Sequence, residues 1–156
     1  MKKSLLLALS AVTLALSGQA QAGTAAQNFN VTATLTSKCQ AKSLSGPVAF
    51  GAYTAFGSAT NTAPTATIVF ECSRGLAPSG AALDNASGTL QGVHFTLALD
   101  SSTAGTLSTA GAAATASTGA TADERTYVVT GTMASGQPGD VNDATTSVQR
   151  TLTVTY

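Results

Sequence analysis

Residues Phe29–Thr36 read FNVTATLT, and apolar and polar side chains alternate along the whole stretch. In an extended strand, successive side chains point to opposite faces, so the apolar residues form one row. This apolar row consists of Phe29, Val31, Ala33 and Leu35. Two interpretations follow from the pattern. The stretch is either the first strand of the protein's own β-sandwich or a strand that completes the sandwich of another molecule.

The first residues of the chain have the pattern of a secretory signal peptide. Lys2 and Lys3 form a basic start, Leu5–Leu16 is an apolar run, and Ala20-Gln21-Ala22 is a small-x-small cleavage site. The apolar run is shorter than the roughly 20 residues that a membrane-spanning helix needs. The sequence therefore predicts a signal peptide at residues 1–22, a mature chain that begins at Gly23, and export.

The predicted mature chain has the size of one domain and a sparsely charged composition. Removing 22 residues from 156 leaves 134, which suits a single domain. Removing Lys2 and Lys3 leaves five basic residues against seven acidic ones, a net charge of −2. These charges are scattered, so the sequence predicts no basic patch for nucleic acid and no polybasic membrane segment.

The chain contains two cysteines, Cys39 and Cys72. An even pair in an exported protein is typically oxidised, so we expect a disulfide between them. The alternative is two free, buried thiols. Chain-entropy arguments assign a disulfide that closes this 33-residue separation roughly 3–4 kcal/mol of stabilisation.

Short apolar alternations separated by turn residues predict an antiparallel β-sandwich of immunoglobulin-like type. Beyond the opening stretch, the expected strands are Lys38–Lys42, Thr65–Cys72, Leu90–Asp100, a weak strand around Leu107, Arg125–Met133 and Ser147–Tyr156. We expect loops at Gly57–Pro64, Arg74–Gly88 and Gly136–Thr146. In the segment VAFGAY, Val48 and Phe50 are expected on one face, with a bulge or a tight bend at Gly51.

Residues that could carry catalysis or bind a metal are few. His94 is the only histidine and lies within an alternating strand, which favours a half-exposed structural role over a catalytic base. Asp140, Asn142 and Asp143 bring oxygen ligands together, but the remaining spacing of a calcium-binding loop is missing. The sequence therefore predicts no catalytic residue, no metal site, no cofactor and no enzymatic activity.

Taken together, these features resemble the spore coat U-like pilins of the archaic chaperone–usher pathway, over nearly the whole mature chain. Six features carry the resemblance: the alternating N-terminal strand that ends at Cys39, Phe50-Gly51 with Tyr53, the strand into Cys72, Val93–Asp100, Val129–Gln137 with its Gly131 and Gln137, and Thr151–Tyr156. The chain departs from the family in two places. The Ala/Thr/Gly/Ser stretch Ser101–Ala122 lacks a clear counterpart to the family's middle strands, and one motif differs. Where the family has Gly-x-Tyr-x-Asp-Thr-Leu, this chain has Thr146, Val148 and Arg150 in place of the glycine, tyrosine and aspartate.

The resemblance implies an all-β, incomplete immunoglobulin-like β-sandwich that is completed by donor-strand exchange. Residues 23–36 would be the donor strand, with Phe29, Val31, Ala33 and Leu35 as its contacts, and residues 37–156 would be the pilin domain. The implied partners are a periplasmic chaperone, an outer-membrane usher and other copies of the chain in a head-to-tail polymer. The implied product is a cell-surface fimbrium that serves adhesion and biofilm formation, with no nucleic acid and no small-molecule substrate.

A different class of function remains open from the residues alone. The chain could be a self-contained secreted β-sandwich binding module, for example for carbohydrate. In that case Phe29–Thr36 would be an edge strand paired within its own chain. The pairing of this stretch therefore distinguishes the two hypotheses.

Overall fold

The computed structural model describes residues 24–100, 102–115, 119–141 and 144–156. The predicted signal peptide and Gly23 lie outside the described residues. Every regular element in the described part is a β-strand, and no described helix is long and apolar enough to cross a membrane. The chain divides between Thr34 and Leu35 into two structural units.

Among the described residues, nine strands are present in the second unit. They are β1 (Cys39–Leu44), β2 (Asn61–Thr62), β3 (Ala66–Cys72), β4 (Gly80–Leu83), β5 (Ser87–Leu90), β6 (Val93–Asp100), β7 (Thr106–Thr109), β8 (Asp123–Met133) and β9 (Leu152–Thr155). All strand pairs are antiparallel, so the predicted all-β, antiparallel class is confirmed.

The main sheet is built around β8 and has the strand order β1-β3-β8-β6-β5. On one edge of β8, β3 pairs with residues 123–129 and β2 with residues 132–133. On its other edge, β6 pairs with residues 128–133 and β7 with residues 124–126. Because β8 is eleven residues long, it provides partners for four shorter strands.

The second sheet contains two strands, β4 and β9, paired from Gly80↔Thr155 to Leu83↔Leu152. The pairing continues one step further, since Asp84 donates its backbone N–H to the Thr151 carbonyl and accepts the Thr151 N–H on its carboxylate. Leu83 and Leu152 are opposite one another, so their side chains lie on the same face of the sheet.

The buried core lies at one end of the main sheet. Val93, Phe95 and Met133 form its centre, and four half-buried apolar residues pack against them: Phe50, Tyr53, Leu90 and Leu97. The rings of Phe50 and Phe95 are 5.7 Å apart. The contacts of Phe50 and Tyr53 show that the segment before β2 packs on this end of the sheet although it forms no strand.

Most of the strands with large alternating side chains occur as predicted. The strands expected at Lys38–Lys42, Thr65–Cys72 and Arg125–Met133, and the weak strand at Leu107, correspond to β1, β3, β8 and β7. The prediction for Leu90–Asp100 covers the last residue of β5 and all of β6. Gly51 has φ +69°, a left-handed conformation that glycine adopts readily.

Two loop predictions were wrong. The segment Arg74–Gly88 contains β4 and the start of β5, and the segment Gly57–Pro64 contains the short β2. The sequences of β4 and β5 are GAAL and SGTL. They have no alternation of large apolar side chains, so their pairing depends on the neighbouring strands rather than on a local pattern.

The first alternating stretch forms no strand here, and the last predicted strand is shorter than predicted. No strand is assigned to residues 24–38, which include Phe29–Thr36. The alternation specifies two faces for the stretch but supplies no partner strand. The last predicted strand, Ser147–Tyr156, is reduced to Leu152–Thr155, because its partner β4 is only four residues long.

Candidate functional site

The apolar row is exposed to solvent. Phe29, Val31 and Leu35 have 83%, 86% and 83% of their surfaces accessible, and Ala33 is exposed as well. The first three positions of the row lie in the first structural unit, and Leu35 begins the second. Exposed side chains of this size normally mark an interaction surface when they recur with a regular spacing. Successive members of the row would be about 6.6 Å apart in an extended strand.

The main sheet has an inner face that can be followed from strand to strand through its register. Tyr127 is fully buried and lies opposite Ile68, which in turn lies opposite Leu44 on β1. Directly opposite residues share a face, so all three side chains belong to the inner face. Burial falls along this line: Ile68 is half-buried and Leu44 is 60% exposed. The inner face is therefore incompletely covered towards β1.

The second sheet also has an apolar face that is only partly covered. Leu83 and Leu152 form one pair and Ala81 and Val154 the other, and all four are half-buried. Among the described residues, β9 pairs with β4 along one edge and with no strand along the other. Its free edge leaves unpaired backbone N–H and C=O groups beside apolar side chains, which is the surface that an added strand can use.

Arg150 connects the two sheets immediately before β9. Its Nη2 donates to the Ser87 carbonyl at 2.8 Å, and its guanidinium lies 5.8 Å from the centre of the Phe95 ring. A Cβ atom on Gly88 would lie 2.5 Å from this Nη2, so the glycine makes room for the arginine. Arg150 thus links the segment that leads into β9 to strands β5 and β6.

The predicted disulfide between Cys39 and Cys72 is confirmed. The two residues are paired across β1 and β3, and both are buried. The remaining five residues of β1 are exposed. The disulfide therefore attaches the edge strand β1 to the sheet at the end where the apolar row joins the domain sequence.

Asp123 is a buried carboxylate opposite Cys72, and it holds two loops at the end of the sheet where the disulfide lies. It accepts hydrogen bonds from the backbone N–H groups of Gly111 and Gly75, the latter at 2.8 Å. These N–H groups, with Gly111 first, lower the pKa of the carboxyl below its ordinary value; burial opposes the effect, and Arg125 and Arg74 add to it. The ionised form of Asp123 is thus the form that the fold stabilises.

This lowered pKa predicts an acid-dependent loss of stability. A carboxyl group with a depressed folded-state pKa contributes stability above its unfolded pKa, about 3.9, and loses it as the pH falls through the folded value. We expect Asp123→Asn to lower the unfolding temperature at pH 7, and the difference from the unaltered chain to shrink below about pH 4. Thermal unfolding followed by circular dichroism from pH 2 to pH 7 measures both quantities. A difference that stays constant across this range would contradict the prediction.

Several residues that the sequence analysis singled out come together around the core. Gly131 lies beneath Val48 and Phe50, where an added Cβ would be 2.6 Å from atoms of both side chains. The Tyr53 hydroxyl donates to the Ala134 carbonyl at 2.7 Å and accepts the Gln137 N–H at 3.1 Å. Because the side chains of Val48 and Phe50 both lie over Gly131, they share a face, as predicted.

The Gln137 side chain continues the pairing of β6 where β8 ends. Its Oε1 accepts the His94 N–H at 2.7 Å, and its Nε2 donates to the His94 carbonyl at 2.9 Å. A single amide side chain thus replaces the backbone partner that a longer β8 would supply. The sequence singled out Gln137 but carried no signal for this role, since it depends on where β8 stops.

The residues considered for catalysis or metal binding form no metal-binding group within the described structure. His94 is exposed on β6, as a strand residue. Asp140 donates its backbone N–H to the Gln91 carbonyl, while Asn142 and Asp143 lie outside the described residues. Within the described ranges, no group of three or more His, Cys, Asp or Glu side chains is close enough to hold a metal ion.

The chain was compared with protein-family models, with curated proteins and with solved structures, and none of the three comparisons found a match.

Proposed function

We propose that this protein is a structural pilin, a shaft subunit that polymerises by donor-strand complementation into chaperone–usher pili for adhesion and biofilm formation. The observation that carries the proposal is the exposed apolar row, with Val31 86% accessible in a stretch that forms no strand of its own. In the proposed fibre, the row of one copy adds a strand to the domain of the next. The contact runs head to tail and does not close on itself, so it grows a filament.

The strand order supports an immunoglobulin-like sandwich that lacks one strand. A constant-type immunoglobulin domain has strands A, B, E and D in one sheet and C, F and G in the other. Here β1-β3-β8-β6 has the order expected for A-B-E-D, and β4-β9 that expected for C-F. The position of a G strand would be the free edge of β9. A donor strand from another copy is proposed to take this place.

The partly covered apolar faces support the same assignment. Leu44 on the inner face of the main sheet and Leu152 on the second sheet would both gain cover from an added apolar strand. Fully burying one large apolar side chain contributes roughly 1.5–3 kcal/mol. Phe29, Val31 and Leu35 together could therefore stabilise each junction by several kcal/mol, with Ala33 contributing least.

The proposed assembly requires partners before the fibre forms. An exposed apolar row and an open apolar face on the same chain would favour aggregation unless they are covered. We therefore propose that a periplasmic chaperone covers the acceptor face and that an outer-membrane usher delivers the subunit to the cell surface. The proposal gives the chain no catalytic activity and no cofactor. The alternative of a self-contained module needs Phe29–Thr36 paired within its own chain, and no strand is assigned there.

A truncated chain tests the proposed function. A chain that begins at Ser37 lacks the apolar row but keeps every strand from β1 to β9. We expect it to form no homopolymer, because it has no strand to donate, and to bind a synthetic peptide of residues 24–36 in a one-to-one complex. Size-exclusion chromatography and electron microscopy measure polymer length, and fluorescence anisotropy measures peptide binding. Long homopolymers of the truncated chain, or no binding of the peptide, would disprove the proposal.

A further inference from the structure

A long uncharged segment surrounds a turn that contains an exposed aromatic residue. Between Lys42 and Glu71 the sequence contains no charged residue. Within this segment, Thr54–Gly57 forms a tight turn in which Gly57 donates its N–H to the Thr54 carbonyl at 3.0 Å. Phe56 occupies the third position of the turn, with φ +57°.

The conformation of Phe56 is unfavourable for its residue type. A positive φ at the third position of a turn is normally taken by glycine or asparagine, because a larger side chain is strained there. Two backbone hydrogen bonds hold the turn in place, from Phe56 N–H to the Gln137 carbonyl at 3.0 Å and from Gly136 N–H to the Gly57 carbonyl at 2.8 Å. The strained conformation is thus fixed by the surrounding fold.

The Phe56 ring contributes little to the packing of this domain. Its side chain is 75% exposed, in contrast to Phe95 in the core, which is 2% exposed. Neither turn geometry nor core packing therefore explains a phenylalanine at this position. A strained residue that the surrounding structure holds in place is a reason to look for a binding role.

A cleft of about 430 Å³ lies beside this turn and has polar but uncharged groups in its wall. Thr54 and Gly57 of the turn both line the cleft, and so do Ser58, Thr60 and Asn61. The remaining lining residues are apolar or aromatic: Phe50, Ala52, Tyr53 and Ala59. The Asn61 amide is held in orientation because its Nδ2 donates to the Phe50 carbonyl at 2.7 Å. The turn that carries the exposed Phe56 thus borders a cleft with hydroxyl and amide groups in its wall.

We propose that Phe56 and this cleft bind a neutral oligosaccharide. The pyranose ring offers an apolar C–H face that can lie on an aromatic ring, and hydroxyl groups that can pair with serine, threonine and asparagine side chains. A charged ligand would find no countercharge in the segment between Lys42 and Glu71. An apolar ligand would bury the hydroxyl and amide groups without forming hydrogen bonds to them, which is unfavourable. The lining of the cleft contains no residue of the apolar row, of β4 or of β9, so saccharide binding is tested independently of polymerisation.

Binding of the full chain to defined beads tests the inference. The probes are beads that carry lactose, cellotriose, mannotriose or chitotriose, with heparin beads and bare polystyrene beads as anionic and apolar comparisons. We expect retention on at least one neutral saccharide, at least a tenfold loss of retention for Phe56→Gly, and retention kept in Phe56→Tyr. The unfolding temperature of Phe56→Gly should not fall, because glycine adopts φ +57° readily.

A matched control removes a different exposed apolar side chain. Val141 is fully exposed outside this segment, so Val141→Gly should leave saccharide retention unchanged. Four results would overturn the inference: no retention on any neutral saccharide, unchanged retention of Phe56→Gly, retention on polystyrene or heparin beads alone, or a lowered unfolding temperature of Phe56→Gly. The last result would mean that the ring has a structural role.

Discussion

Replacing Val31 with aspartate is expected to abolish fibre formation while leaving the domain folded. Val31 is at the second position of the apolar row and is 86% exposed, so its replacement removes no packing from the subunit. In the proposed junction the side chain would be buried. The variant would lose about 1.5–3 kcal/mol of apolar burial and would also have to desolvate a carboxylate, at a cost of several kcal/mol. A combined cost of about 4 kcal/mol or more lowers the affinity of the junction about a thousandfold.

The neighbouring position supplies a matched control. Thr32→Asp introduces the same charge one residue away, on the opposite face of the strand. If the apolar row alone enters the acceptor face, this variant should polymerise nearly as well as the unaltered chain. Polymer formation is measured by sedimentation and electron microscopy, and folding by thermal unfolding. Equal loss of polymer in both variants would indicate that the charge, rather than its place in the row, is responsible, and would count against the proposed junction.

The fold was predictable wherever large side chains alternate along a strand. In β8, Tyr127, Val129 and Met133 all lie on the buried face of the strand. The alternation of large side chains in the sequence therefore matches the alternation of burial in the structure. In β4 the sequence GAAL has no comparable contrast between neighbouring side chains. That strand exists because β9 pairs with it, a contact between residues about 70 positions apart that no local pattern can specify.

The candidate site was predictable in its residues but not in its surroundings. Alternation alone placed Phe29, Val31, Ala33 and Leu35 in one row. Whether that row pairs within its own chain depends on which strand edges the fold leaves unpaired. A local alternation pattern does not specify those edges. The strained turn at Phe56 had no sequence signal either, because positive φ is normally anticipated from glycine or asparagine.

Removing the disulfide is expected to produce the largest loss of stability within the subunit. Replacing both cysteines, as Cys39→Ala with Cys72→Ala, should lower the free energy of unfolding by about 2–5 kcal/mol. The loop that the bond closes, 33 residues in sequence separation, includes β2 and most of β1 and β3. The unfolded chain would gain the conformational freedom that the bond removes, and both buried positions would lose their sulfur contacts. Urea unfolding of the oxidised chain and of the double variant measures this difference.

The loss of stability in the double cysteine variant should be greatest in β1, because few other interactions hold that strand to the sheet. Its remaining residues are exposed, and its ladder to β3 is irregular between Ala41 and Ser43. The ion pair between Lys42 and Glu124 is exposed to solvent on the Lys42 side, and such pairs contribute little, about 0–1 kcal/mol. Lys42→Ala is therefore the matched control, with an expected change below about 1 kcal/mol.

Hydrogen exchange should show β1 losing protection in the double variant before β8 does. If the free energy of unfolding of the double variant is within about 1 kcal/mol of that of the oxidised chain, the backbone pairing with β3 alone holds β1, and the prediction is wrong.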